Sequence, residues 1–230
     1  MELRPIGRFV SPFGEKFGTP RQSGVVPSAT GRVILEPPYN KPDALRGLEG
    51  FEWLWLLWEF SLNDRGGGTQ DADQAAPGTF HATVRPPRLG GNDRIGVFAS
   101  RSPYRPNPIG LSSVRIERID LQACTIEVSG ADLVDGTPVL DIKPYLPYTD
   151  AHPDAAAGYT DTMAWKELGI ANPELAASLV GEALAPALLD ALRADPRPHY
   201  REDEGGRSYA MRFAGRDIRF RVKGDILTLL

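Results

Sequence analysis

The sequence predicts a mainly β protein, with a small β-barrel domain over residues 1–150 and a small α+β domain over residues 151–230. Three observations indicate this fold. The chain holds 24 Gly and 21 Pro, which favour many turns and short strands. Short apolar and β-branched runs recur between turn residues in the first part of the chain. A helical pattern followed by three alternating runs closes the sequence. Hydrophobic residues make up 41% of the chain, enough to bury a core.

The first part of the chain contains a series of short runs that are typical of strands. Many short strands at close spacing favour a closed or nearly closed barrel. The run over 51–60 is apolar on both faces, so we expect a strand that is covered on both sides. The run over 111–119 alternates between Val114, Ile116 and their polar neighbours. The predicted strands are 6–10, 31–36, 51–60, 80–84, 95–99, 111–119, 124–129 and 139–142.

The composition changes near Asp150, where an Ala-rich stretch over 151–158 indicates a linker. A helix is predicted over 173–194, with Asn172 as N-cap, Pro173 at the first helical position and an interruption at Pro186. Three alternating runs then predict a meander, in which Gly215 and Gly224 make the turns. The meander strands are 207–213, 216–222 and 225–229.

Composition and charge narrow the function classes. The single cysteine, Cys124, permits no intramolecular disulfide, and its apolar surroundings indicate a buried thiol. The amino terminus lacks the apolar segment of a signal peptide, and the 51–60 run is too short to span a bilayer. We therefore expect a soluble cytoplasmic protein. A net charge of -4 argues weakly against nucleic acid as a partner, yet five arginines cluster in one short stretch. They are Arg85, Arg88, Arg94, Arg101 and Arg105.

The sequence motifs of several common enzyme classes are missing. No glycine-rich Rossmann fingerprint follows a strand, and there is no Walker loop, H-E-x-x-H or C-x-x-C. The three histidines are far apart, so we expect no metal site. Three polar segments rich in Pro and Gly remain as candidates for function.

Each of these segments permits a functional and a structural interpretation. The first, 17–22, offers an arginine and an amide beside a fixed backbone, or is a polar turn. The second, 85–94 with 101–110, presents arginines on a stiff proline-rich backbone with Tyr104 as a stacking surface; a solvated polyproline segment or a ligand for a proline-binding domain is the alternative. The third, 135–147, delivers Asp141 and Lys143 on one strand face, or is a hairpin with a surface ion pair.

Taken together, these segments resemble the TrmO family, also called YaeB-like, of tRNA methyltransferases with a β-barrel cofactor domain. The resemblance rests on F-G-T-P-R-Q at 17–22, V-R-P-P-R-L-G-G-N at 84–92, G-V-F-A-S-R-S at 96–102, R-P-N-P-I-G-L-S at 105–112 and D-L-V-D-G-T-P-V-L-D-I-K-P-Y-L-P at 132–147. Shorter similarities at 48–51 and 195–200 extend it over nearly the whole chain.

The resemblance implies a reaction and a site. Members transfer a methyl group from S-adenosylmethionine to N6 of threonylcarbamoyladenosine at tRNA position 37, in threonine tRNA, without a metal. They are homodimers, with the cofactor bound near the dimer interface. The implied cofactor contacts are Pro20, Arg21, Gln22, Arg101, Asp135, Gly136, Thr137 and Pro138.

Ser61 and Leu62 depart from the family pattern, because many relatives have His followed by a polar residue at this cofactor contact. The longer loop after them, 63–79, is rich in glycine. Asn107 and Tyr145 are the candidate catalytic residues, with Asp141 as a further candidate base. Arg85, Arg88, Arg94 and Arg105 are expected to meet RNA phosphates or the threonyl carboxylate. Two alternatives stay open: a non-catalytic RNA- or nucleotide-binding module, and an S-adenosylmethionine-dependent methyltransferase that acts on another substrate.

Overall fold

The computed structural model describes residues 2–63, 80, 82–86, 93–162, 166–197 and 207–230. Within these residues, six strands close into a barrel, as predicted. They are β1 (Gly7–Val10), β2 (Thr30–Leu35), β3 (Trp53–Glu59), β6 (Ile109–Asp120), β7 (Thr125–Ser129) and β8 (Pro138–Pro144). Their order around the barrel is β1-β2-β7-β6-β3-β8, and each neighbouring pair is antiparallel.

The barrel core is made by alternate residues of each strand, since successive side chains of a strand point to opposite faces. In β3 the buried positions are Leu54, Leu56 and Trp58, whereas Trp53 is 39% exposed. The prediction that this strand is covered on both faces was therefore wrong at Trp53. Inside the barrel the Trp58 ring lies on Gly110, where an added Cβ would come within 2.2 Å of the indole.

The antiparallel closure brings distant parts of the sequence to one end of the barrel. β1, β3 and β7 end there, and β2, β6 and β8 begin there. The segments 11–29, 60–63, 101–108 and 130–137 therefore share this end, which we call the loop end. The opposite end carries the segments 36–52 and 121–124 together with the residues that follow β8.

The arginine-rich segment forms a two-stranded ribbon rather than barrel strands. The predicted strand 80–84 is seen as β4 (Thr83–Val84), which pairs with β5 (Ile95–Gly96). The predicted strand 95–99 continues from Gly96 as a 3-10 turn over Val97–Ala99, so the strand prediction was wrong there. The Arg105 guanidinium accounts for this turn, because its Nη1 donates to the carbonyls of Val97 at 3.2 Å and Ser100 at 2.6 Å.

After the barrel the chain forms a short helix, α1 (Pro147–Asp150), and then a helical pair against a second sheet. The predicted helix is divided into α2 (Leu175–Val180) and α3 (Ala185–Arg193), because Gly181 takes a φ of +84° and Pro186 lies in the first turn of the next helix. The Asn172 N-cap prediction was wrong. Its side chain instead exchanges two hydrogen bonds with the Leu229 backbone, at 2.9 and 3.0 Å.

The predicted meander is confirmed, with strands β10 (Ser208–Phe213), β11 (Arg216–Lys223) and β12 (Ile226–Leu229). The parallel strand β9 (Gly169–Ile170), which the sequence analysis did not predict, extends the sheet beside β12. The core between this sheet and the helices also takes in Phe13, Val26 and Ala29 from the amino-terminal segment. The loop end of the barrel is thus packed against the second sheet. The division at residue 150 stays a prediction. None of the helices in the described ranges is long and apolar enough to cross a membrane.

Candidate functional site

The segment 17–22 is built into the junction between the barrel and the second core. Gly18 has a φ of +91°, and a Cβ there would come within 2.6 Å of the Met211 methyl group, so glycine is required. Pro20 is buried. The Arg21 Nη2 donates to the Arg197 carbonyl at 2.7 Å, and the Arg197 guanidinium is itself paired with Asp195 through two contacts of 2.8 Å. The carboxyl-terminal part of the chain therefore fixes this predicted cofactor segment.

A hydrogen bond joins the first and second predicted cofactor segments. Arg101 Nη1 donates to Gln22 Oε1 at 2.8 Å, although the two residues are far apart in sequence. Arg101 is exposed and lies at the loop end. The structure brings these two predicted cofactor residues together.

The third segment is a tight turn that holds the start of β8. Asp135 Oδ1 accepts from the Ser11 backbone N–H at 3.0 Å, and the Gly136 N–H donates to the Phe9 carbonyl at 2.8 Å. Gly136 has a φ of +78°, which favours glycine. Thr137 is buried, and its hydroxyl donates to the Val134 carbonyl at 2.6 Å. Pro138 is the first residue of β8. The turn is thus tied to β1 and the segment that follows it.

Ser61 and Leu62 form a turn directly after β3, at the same end of the barrel. Leu62 is about half exposed. The next residue, Asn63, links two other segments, because its Nδ2 donates to the Pro103 carbonyl at 2.8 Å and its Oδ1 accepts from Lys16 Nζ at 3.4 Å. All the predicted cofactor residues therefore lie at the loop end. Sequence reasoning did not single out Asn63.

A hydrogen-bonded chain inside the loop end was also missed. Trp58 Nε1 donates to Ser112 Oγ at 2.9 Å, and Ser112 Oγ donates to Asp132 Oδ1 at 2.5 Å. Ser112 is fully buried among the apolar residues of the barrel. The signal in the sequence was a serine on the same strand face as Val114, together with an aspartate inside the 132–147 motif.

Asp132 lies where the predicted cofactor segments meet. Burial raises the pKa of its carboxyl to about 6, while the Ser112 hydroxyl, the positive charge of Arg101 and the Ser23 backbone N–H act in the opposite direction. Ser23 follows Gln22 directly, and Arg101 is bonded to Gln22. The Asp132 carboxylate is therefore hydrogen-bonded to the barrel interior through Ser112.

The two predicted catalytic residues lie at different ends of the barrel. Asn107 precedes β6 at the loop end, where its carbonyl accepts from the Ile109 N–H at 2.8 Å. Tyr145 follows β8, and its N–H donates to the Trp53 carbonyl at 3.0 Å. Because β8 has seven residues, at about 3.3 Å each it separates Tyr145 from the Asp135–Pro138 turn by roughly 20 Å. Tyr145 is not brought together with the predicted cofactor residues of the same chain.

Asp141 lies partway along β8 and forms an ion pair with Lys143 at 3.0 Å. Both side chains are about half exposed, which matches the alternative interpretation of this segment as carrying a surface ion pair. The contact gives Asp141 a structural partner and no connection to the loop end.

The predicted RNA-binding arginines lie on and around the β4–β5 ribbon. Arg85 and Arg94 are exposed, and Arg94 Nη1 donates to the Thr83 hydroxyl at 3.4 Å. Arg105 lies over the Phe98 ring, 5.6 Å from its centroid, and Phe98 is 70% exposed and stacked on Phe80. Arg88 lies outside the described residues. The ribbon therefore presents aromatic rings and guanidinium groups together on the surface.

The described residues were searched for a cavity and for a metal-binding cluster near the predicted cofactor segments. A small cleft lies between the first segment and α3, lined by Pro20, Arg21 and Asp195 among others. Its volume of about 70 Å³ is well below the roughly 300–1,000 Å³ of a typical ligand pocket. This cleft alone is therefore too small to hold the cofactor. The described residues contain no group of three or more His, Cys, Asp or Glu that is arranged to hold a metal ion.

Comparison with known proteins identifies relatives of nearly full length. The chain is 42% identical to the tRNA (adenine(37)-N6)-methyltransferase of Escherichia coli, over 96% of this chain and 93% of that protein. It is 40% identical to a putative S-adenosylmethionine-dependent methyltransferase of Pseudomonas aeruginosa, over 99% and 96% of the two chains. A crystal structure of TrmO from Pseudomonas aeruginosa superposes with a TM-score of 0.75 at 32% identity, covering 100% of this chain and 97% of that chain.

Two family models match successive parts of the chain. The tRNA-methyltransferase O N-terminal domain matches residues 8–151, which include the barrel except for Gly7, and all of the loop end. The TrmO C-terminal domain matches residues 172–230, which include α2, α3 and the meander. The matches cover well over half of the chain, and the chain therefore belongs to the TrmO family of tRNA methyltransferases.

Proposed function

We propose that this protein transfers the methyl group of S-adenosylmethionine to N6 of adenine 37 in tRNA. The observation that carries this proposal is the convergence of the predicted cofactor residues at one end of a single barrel. The Arg101–Gln22 hydrogen bond of 2.8 Å links two of the segments, and β8 begins at the third. Family membership supplies the class of reaction.

The residues at the loop end fit the chemistry of this cofactor. S-adenosylmethionine carries a carboxylate, an ammonium group, a sulfonium, ribose hydroxyls and an adenine ring. The exposed Arg101 guanidinium offers charge-assisted donors for a carboxylate. The exposed Asp135 carboxylate complements the cationic groups. The half-exposed Leu62 and Leu111 supply apolar surface for the adenine ring.

The reaction needs positioning more than acid–base power. The cofactor would supply an activated methyl group: N6 would bond to the methyl carbon in line with the breaking carbon–sulfur bond, releasing S-adenosylhomocysteine and losing its N6 proton to solvent. Rates of such displacements depend on holding the reacting atoms in near-attack geometry and on excluding water. The chain contributes the first by fixing its segments through Arg101, Asn63 and the Asp135–Pro138 turn. Asn107, at the same end, is the residue we propose to orient the exocyclic amine.

The substrate we propose is threonylcarbamoyladenosine at position 37 of threonine tRNA, in the cytoplasm. The arginines on and around the ribbon support an RNA substrate, because Arg85 and Arg94 are exposed and Arg105 lies over the exposed Phe98 ring. Guanidinium groups beside exposed aromatic rings suit the unpaired bases and phosphates of an anticodon loop.

We also propose that the protein is a homodimer. Apolar side chains at the loop end that the proposed ligands do not use are also exposed in the single chain, including Val10 and Ile109 at 36% each. Exposed apolar patches of this kind mark interaction surfaces. Light scattering at micromolar concentration is expected to give twice the chain mass. A monomeric mass with full activity would contradict the dimer.

The two alternative functions differ from this proposal in measurable ways. A non-catalytic binding module, with catalysis lost at Ser61 and Leu62, would bind the cofactor or RNA without turnover. A methyltransferase for another substrate would methylate other RNAs, or molecules that are not tRNA, and would leave threonine tRNA unlabelled. Purified protein is to be incubated with radiolabelled S-adenosylmethionine and with threonine tRNA that does or does not carry the threonylcarbamoyl group. The proposal predicts label only in the modified tRNA.

A further inference from the structure

We propose that the exposed ring of Phe98 is a stacking subsite for an unpaired base of the tRNA anticodon loop, beside the adenine that is methylated. This inference rests on the proposed function and deepens it, because it assigns one contact with an RNA base to one side chain. Phe98 is not among the predicted cofactor residues or the predicted RNA-binding arginines.

The backbone that carries Phe98 is fixed on both sides. Phe98 is the middle residue of the 3-10 turn that follows β5. Val97, directly before it, is buried, and its N–H donates to the Ala82 carbonyl at 2.9 Å. From the other side, Arg105 Nη1 donates to the carbonyls of Val97 at 3.2 Å and Ser100 at 2.6 Å. The ring is therefore presented to solvent from a backbone that is already ordered, so little backbone entropy is lost when a ligand binds to it.

The surroundings of the Phe98 ring are aromatic and cationic. The ring is 70% exposed, but a single exposed apolar side chain is ordinary on a protein surface. Here the 55% exposed Phe80 stacks with Phe98, with ring centroids 6.2 Å apart and planes inclined by 28°. The Arg105 guanidinium carbon lies 5.6 Å from the Phe98 centroid. Exposed rings with an arginine beside them are typical of surfaces on which unpaired bases stack.

The charge around the ring favours a nucleic acid as the occupant. Arg85 and Arg94 are the residues next to the last pair of the β4–β5 ribbon, so the register places them opposite each other. Like charges opposite each other on neighbouring strands are destabilising, and a bound polyanion offsets that repulsion. The whole chain has a net charge of -4, whereas its described residues near the ring carry four arginines and one aspartate. These residues are 80, 82–86 and 93–105.

The position of Phe98 along the chain places the subsite close to the predicted cofactor residues. Phe98 is three residues before Arg101, which donates to Gln22 Oε1 at 2.8 Å. Three residues span at most about 11 Å between Cα atoms. A base that stacks on Phe98 is therefore a near neighbour of the base presented to the cofactor. When the target adenine leaves the stack of the loop, its neighbour loses a stacking partner, and the Phe98 ring replaces that partner.

The first measurement is tRNA affinity, by fluorescence anisotropy with S-adenosylhomocysteine present and threonine tRNA that carries threonylcarbamoyladenosine. We expect Phe98→Ala to weaken binding about 5- to 100-fold, the usual range for loss of one base–aromatic stack. Phe98→Leu keeps an apolar side chain without a flat ring and is expected to lose most of the same affinity, whereas Phe98→Trp is expected to keep it. The control is Tyr39→Ala, which removes a 39% exposed ring at the opposite end of the barrel and is expected to match the wild type.

The salt dependence of binding separates stacking from charge. Phe98 is uncharged, so the slope of log affinity against log salt concentration is expected to be the same in Phe98→Ala as in the wild type. Loss of one phosphate contact lowers the steepness of that slope by about 0.7 for single-stranded RNA, which is the change expected of Arg94→Ala. A shallower slope in Phe98→Ala would attribute its weaker binding to displaced arginines and would overturn the stacking role.

Two further measurements exclude other roles for the ring. In Phe98→Ala, the affinity for S-adenosylmethionine in calorimetry and the mass in light scattering are both expected to equal those of the wild type. A weaker cofactor affinity would place the ring in the cofactor site, and a lower mass would place it between two copies of the chain; either result overturns the proposal. Unchanged tRNA affinity in Phe98→Ala would refute only this inference, whereas a wild type that neither binds nor methylates the tRNA would refute the proposed function itself.

Discussion

Asp132→Asn is predicted to make the protein more stable at neutral pH. The pKa of the carboxyl is about 6 in the fold and 3.8 when exposed. At about 1.4 kcal/mol per pH unit, that difference corresponds to roughly 3 kcal/mol of unfolding free energy. An asparagine keeps an acceptor for the Ser112 hydroxyl without the buried charge. The variant is therefore expected to gain up to about 3 kcal/mol at pH 7.5.

The direction of the pH dependence follows from which state holds the proton. The folded pKa is the higher one, so between about pH 4 and pH 6 the folded protein keeps a proton that the unfolded chain has lost. The unfolding free energy of the wild type is thus lowered by the full amount above about pH 6 and is not lowered below about pH 4. The advantage of Asp132→Asn should shrink to about half at pH 5 and vanish near pH 4.

Urea unfolding followed by tryptophan fluorescence measures this difference at each pH. The control is Asp120→Asn, at the partly buried last residue of β6, which is expected to show no such gain. A variant at Asp132 that is less stable than the wild type at pH 7.5, or a difference that does not change with pH, would refute the account of this carboxylate.

Two further predictions concern the barrel wall and the cofactor segments. Gly110→Ala is expected to destabilise the protein by about 1–3 kcal/mol in urea unfolding, because its Cβ would lie 2.2 Å from the Trp58 ring. In the control Gly50→Ala the new Cβ meets nothing within 4 Å, so equal destabilisation by the two variants would contradict the described packing. Arg101→Ala is expected to weaken cofactor binding about 10- to 100-fold in calorimetry, while the control Arg118→Ala, on the opposite half of the barrel, leaves the affinity unchanged. A larger loss of affinity in Arg118→Ala than in Arg101→Ala would place the cofactor site elsewhere.

Local patterns predicted the elements of the fold well. Short runs of alternating apolar residues gave the barrel strands and the meander, because side-chain alternation is a direct consequence of strand geometry. The prediction was wrong where a distant partner decides the local structure. Val97 turns into a 3-10 helix because Arg105 binds the carbonyls around it. Asn172 does not cap a helix because its side chain is hydrogen-bonded to the Leu229 backbone.

The segments of the site were predicted from the sequence, but how they come together in space was not. The cofactor residues followed from a resemblance of motifs, and motif spacing carries no information on which end of a barrel each segment reaches. Tyr145 illustrates this, since it follows the same strand that begins at Pro138 but lies at its far end. The Ser112–Asp132 contact joins residues on different segments, so the serine in one segment and the aspartate in the other predict it only when the two are considered together.

The central claim is methyl transfer to adenine 37, and mass spectrometry of the tRNA tests it most directly. Threonine tRNA carrying threonylcarbamoyladenosine is to be incubated with purified protein and S-adenosylmethionine, digested to nucleosides and analysed for a mass increase of one methyl group. The account predicts that the increase appears on the position-37 nucleoside, with the methyl on N6. Cofactor binding without any methylated nucleoside, or a methyl group at another position, would contradict it.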